Sequence, residues 1–102
     1  MKQLLVLILA FAPFFINAQT STEWLDIGGE KVKIKDYPGA IKALTNAINT
    51  AESNKELREA YFCRAITYLV DIKDSRNGCK DLKMSAMLKF DAAIKMLPYY
   101  CN

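Results

Sequence analysis

WLDIGGEKVKIKDYPGAIKALTNA, residues 24–47, sets Trp24, Ile27 and Gly28 at helical spacing, then a polar turn, then Ala40, Leu44 and Ala47 at helical spacing again. Two helices folded back on each other is the natural reading. Asp36 is a good helix N-cap, and Pro38 falls in the first helical turn, where its missing N–H matters least. Gly28 and Gly29 each cost about 1 kcal/mol relative to alanine inside a helix. A close approach by another part of the chain would account for a glycine there.

Reading outward, Thr20 followed three residues later by Glu23 is a reciprocal cap that starts the first helix near Thr22. Trp24, Ile27, Lys31 and Ile34 then recur along it. Ala40, Ile41, Leu44, Ala47, Ile48 and Ala51 form the stripe of a second helix ending near Glu52. Ser53 and Glu56 repeat the capping pattern and open a third helix through Ile72, with Leu57, Tyr61, Ala65 and Tyr68 along it. Asp74 or Ser75 caps a fourth helix containing Gly78, Cys79, Leu82 and Ala86. A fifth, over about 89–97, carries Phe90, Ala93, Ile94 and Leu97 and is stopped by Pro98. No run alternates with period two, so no strand is expected and the fold class is all-α.

The first 18 residues read as a secretory leader: Lys2 gives the positive start, an apolar run follows, and Ala18 ends a small-residue cleavage site. The apolar run is short for a membrane span, which needs roughly 20 residues. Cleavage after Ala18 would leave one helical domain over 19–102, secreted or periplasmic; retention as an anchor is the alternative. Removing the leader takes one lysine and no acid from a formal charge of +3. The near-neutral remainder intersperses its charges and lacks the basic stripe of a nucleic-acid binder.

The hairpin has a second copy. Trp24, Gly28 and Lys31 align with Tyr61, Ala65 and Tyr68 at a spacing of 37, and Ala40, Leu44 and Ala47 align with Gly78, Leu82 and Ser85 at 38, which places one extra residue in the second turn. The order aromatic, small, then small, leucine, small resembles the tetratricopeptide repeat. The match runs Trp24-x2-Ile27-Gly28-x2-Lys31, then Ala40-x3-Leu44-x2-Ala47, with Asp36 and Tyr37 at the turn. Lys31 replaces a tyrosine, Glu52 stands near the expected proline, and the spacing exceeds the usual ~34 residues of that family. The resemblance implies two repeats, about 22–52 and 55–87, in a right-handed α-α superhelix closed by a capping helix at 89–97. The whole is similar to small secreted bacterial repeat proteins that end in a cysteine.

That family lines a groove with the inner face of the first helix of each repeat. The resemblance therefore implies a partner-binding face at Leu25, Gly29 and Val32 in the first repeat and at Phe62, Ile66 and Leu69 in the second. The implied partner is another protein or peptide, with no nucleic acid, no cofactor and, after leader cleavage, no membrane. Burial of these residues by the chain itself, or in a homodimer seam, is the alternative.

Cys63, Cys79 and Cys101 enter a compartment where disulfides persist. If the fifth helix runs antiparallel to the fourth, its far end returns beside Cys79. The expected bond is Cys79 to Cys101, leaving Cys63 free and partly buried. Without any histidine to serve as base, and without a C-x-x-C pair, the chain is not read as an enzyme. Three scattered cysteines make no familiar metal spacing. Asp71, Asp74 and Asp81, beside Lys73, Arg76 and Lys80, read as a solvated surface.

Overall fold

Thr20 opens the first helix as read: its hydroxyl accepts from the Glu23 amide at 3.2 Å, and the Glu23 carboxylate accepts from the Thr20 amide at 2.8 Å. The computed structural model describes residues 19–101, so the leader lies outside the described residues. Among the described residues five α-helices follow one another: α1 Ser21–Lys33, α2 Tyr37–Thr50, α3 Asn54–Ile66, α4 Ser75–Met87 and α5 Asp91–Tyr100. Between α3 and α4 the helix continues as a π-helical segment, Thr67–Ile72. No strand occurs among the described residues, and no described helix is long and apolar enough to cross a membrane.

Each helix packs on the next, and α1 also touches α3. The two hairpins are built alike. Leu44, fully buried in α2, seats on Gly28 of α1, where an added Cβ would come within 2.7 Å of its methyl group. At the equivalent place in the second hairpin, Leu82 and Ala65 are buried together with Ala93 of α5. Two buried serines repeat the same device. Ser21 donates to the Ala47 carbonyl at 2.7 Å, and Ser85 donates to the Arg58 carbonyl at 2.8 Å. Ser21 aligns with Arg58 and Ala47 with Ser85, so both bonds clasp the same end of their hairpins with donor and acceptor exchanged between helices. A buried hydroxyl needs such a partner, because leaving it unpaired costs about 1–3 kcal/mol.

The extra residue of the second copy is in the helix rather than in the turn. Tyr68 stands 37 residues after Lys31, but Val70 stands 38 after Val32, so the insertion falls at Leu69, inside the π-helical segment. A wider helical turn absorbs one residue without changing the chain's direction. The turns themselves match: Asp36 accepts from the Gly39 amide at 3.0 Å and Asp74 from the Asn77 amide at 3.1 Å.

The C-terminal helix departs from its reading at both ends. Lys89 does not start α5; it takes a left-handed φ of 71° and closes α4, with Phe90 donating to the Ser85 carbonyl at 3.1 Å. Nor does Pro98 stop α5, which runs on to Tyr100. The proline lacks the N–H that would meet the Ile94 carbonyl, but that part of the helix faces water, which can solvate the carbonyl, and Cys101 resumes the pattern by donating to Leu97 at 2.8 Å. Lys35 and Lys73 share the left-handed conformation of Lys89, at φ 62° and 64°. Such sites favour glycine. Lys89→Gly is therefore expected to stabilise the domain by about 1 kcal/mol, read as a rise in the urea midpoint at unchanged slope.

Candidate interaction surface

The residues implied for the groove divide between the two repeats. On α1, Leu25 and Val32 are half-buried and Gly29 is exposed, with nothing within 4 Å of where its Cβ would stand. Among the described residues no contact accounts for Gly29, in contrast to Gly28 one position earlier. On α3, Ile66 is half-buried. Phe62 is turned to the C-terminal end, its ring centroid 4.8 Å from that of Phe90, and packs on the Ala65, Leu82 and Ala93 cluster. Leu69 packs there too and fills the space above Gly78, where an added Cβ would stand 3.2 Å from the Leu69 backbone nitrogen. The register explains the difference. With the insertion at Leu69, the counterpart of Val32 is Val70, which is 47% exposed. The groove residues Phe62 and Leu69 are thus used by the fold, and the exposed positions are Gly29 and Val70.

Asp81 does not lie on a solvated surface. It is 3% exposed and accepts two hydrogen bonds from Arg64, Nε to Oδ2 at 2.7 Å and Nη2 to Oδ1 at 2.9 Å. The third arm of the guanidinium donates to the Thr45 hydroxyl at 3.0 Å, so one side chain joins α2, α3 and α4. The Asp81 hydrogen bond holds Arg64 more firmly protonated than usual, against the opposing effect of burial. Three guanidinium N–H groups and both carboxylate oxygens are engaged between helices, so the arrangement performs a structural task. Asp74, at the surface, is held below the ordinary carboxylate range by the Asn77 amide that it caps.

Cys79 and Cys101 are bonded, with Cα atoms 5.6 Å apart, as the antiparallel course of α5 on α4 requires. Such a bond persists in an oxidising compartment. Cys63 is free, with its residue surface exposed and its thiol partly desolvated. Its thiol is pushed up, first by desolvation among neighbouring side chains and then by Glu59 one turn before it, so it stays protonated and weakly nucleophilic at neutral pH. Among the described residues no pocket opens, and no group of three or more His, Cys, Asp or Glu side chains is placed to hold a metal.

Set against family models, curated proteins and solved structures, the chain matches none of them.

Proposed function

We propose that this chain is an exported, non-catalytic interaction module. In this reading two tetratricopeptide-like repeats follow a right-handed superhelical course, and α5 caps the open side of the second. The equivalent serine clasps and the contact of α1 with α3 support the repeat; the disulfide supports export after removal of a leader. The partner is a peptide or helix of another protein, received on the face of α1, α3 and the π-helical segment that carries Leu25, Gly29, Val32, Ile66 and Val70.

The observation that carries this is Gly29. An exposed glycine in mid-helix weakens α1 by about 1 kcal/mol, and nothing among the described residues makes use of the space. A partner backbone lying across α1 would use it. Gly29→Arg fits without a clash and is expected to raise the urea midpoint while abolishing a specific cross-linked product in the envelope fraction of the source cells. An undiminished product would sink the reading. The second reading, self-association, rests on the same exposed face: light scattering on the purified chain would then show a dimer that Gly29→Arg converts to monomer.

A further inference from the structure

The sequence V-x-I-K-D occurs twice, at residues 32–36 and 70–74. Both copies end the first helix of a hairpin, so the fold sets them side by side at one end of the molecule. The end of α5 joins them, because the bond from Cys101 to Cys79 holds it beside the first turns of α4. Of the seven large exposed apolar side chains among the described residues, five gather at this end: Ile34, Val70, Ile72, Tyr99 and Tyr100. Ile34 is 70% exposed and Tyr99 85%, so these side chains project singly from turns and a helix end and form no concave groove.

The charges are sorted as well. Asp36 and Asp74 turn back to cap the following helices. Lys35 and Lys73 are exposed and enter no ion pair among the described residues, and Arg76 is exposed beside them. Asp36 and Asp74 serve the fold, Asp71 stays half-buried in the second tip, and the unpaired bases Lys35, Lys73 and Arg76 face outward. A protein partner would need a shaped pocket for each projecting side chain. A bilayer surface needs none: it accepts isolated aliphatic groups, it favours tyrosine at the headgroup level, and anionic lipid attracts lysine. Two similar tips facing the same way, V-K-I-K-D and V-D-I-K-D, add avidity, since the second engages at high effective concentration once the first is bound.

We infer that this end is a membrane-docking edge that rests on an anionic lipid surface, with Ile34 and Ile72 entering the headgroup boundary and Lys35 and Lys73 meeting lipid phosphates. It borders the α1 and α3 face at Val70 and leaves Leu25, Gly29 and Ile66 of that face free for a protein partner.

Amide hydrogen exchange of the full chain, with and without phosphatidylcholine vesicles containing phosphatidylglycerol, tests this at the place itself. Slower exchange is expected at residues 33–36 and 71–74 and unchanged exchange at the opposite end, around 51–53 and 87–90. In vesicle sedimentation, Ile34→Ser with Ile72→Ser should weaken binding on the order of tenfold or more. Met87→Ser, an equally exposed change at the opposite end, should leave it as it was. Lys35→Gly with Lys73→Gly removes both charges while relieving two left-handed residues, so its loss of binding to anionic vesicles cannot come from unfolding. The inference is overturned by unchanged exchange at the tips, by equal losses in the Ile34/Ile72 and Met87 variants, or by full binding of the double isoleucine variant, which would place membrane attachment in the leader. It is also overturned if light scattering shows the tips holding two copies of the chain together without lipid.

Discussion

Arg64→Met is expected to destabilise the domain by about 3 kcal/mol, because it leaves the Asp81 carboxylate buried between helices with no counterion. In a protein of this size that is a large share of a total stability of roughly 5–10 kcal/mol. The loss comes mainly from the stranded acid and only in small part from the arginine's own contacts. Arg64→Met combined with Asp81→Leu should therefore regain most of it, to within about 1 kcal/mol of the original, since an apolar pair of similar volume avoids the cost of burying charge. Thr45→Val removes the third hydrogen bond, along with the hydroxyl's own donation to the Ile41 carbonyl within α2, and should cost about 1 kcal/mol. Urea unfolding of the three variants checks the order. If Arg64→Met cost no more than Thr45→Val, the pair would be behaving as a surface ion pair, and the joining of α2, α3 and α4 would have to rest on apolar packing alone.

Asp81 also marks where the sequence stops being readable. Its neighbours in the chain are Lys80 and Leu82, and a charged residue beside a charged residue looks like surface. The partner that makes its burial tolerable lies 17 residues away on another helix, and no local pattern names it. Features set by neighbouring residues were open to reading: the caps at Thr20, Asp36, Ser53 and Asp74, the close approach at Gly28, and the absence of strands. The disulfide was legible for a related reason, since short connections force α5 to return antiparallel to α4.

The groove shows a subtler failure. A constant spacing of 37 leads from Val32 to Leu69, and one inserted residue turns that position inward. A helix rotates about 100° per residue, so a slip of one exchanges an outward side chain for an inward one. The signal that would have corrected it was present as V-x-I-K-D, whose two copies fix the spacing at 38 from Val70 onward. Phe62 could not have been corrected in this way. Its burial depends on Phe90, which reaches it because Lys89 ends α4 in a left-handed turn, a conformation that lysine does not announce.

Opening the Cys79 to Cys101 bond, by reductant or by changing both residues to serine, should cost about 3 kcal/mol, the amount a closed loop of 22 residues takes from the unfolded chain. For so small a domain this corresponds to a fall on the order of 15 °C in the thermal midpoint. The loss should not be spread evenly. Buried Ala93, with Met96, Leu97 and Phe90 around it, holds α5 on the core, and half of the helix faces water. The helix also lacks a side-chain N-cap and carries a proline in its last turn. Without the bond, α5 is the element with the least to keep it in place, and its release uncovers Phe62, Ala65 and Leu82. Amide exchange in α5 should then quicken well before that in α2, which is covered by α1 and α3 and keeps all its contacts. Mass spectrometry of the unreduced chain should place Cys63 outside the bond, and reduction should leave the Ser21 clasp of the first hairpin intact. If α2 and α5 lost protection together, the chain would unfold as one unit, and α5 would be part of the cooperative core of both repeats rather than a cap on the second.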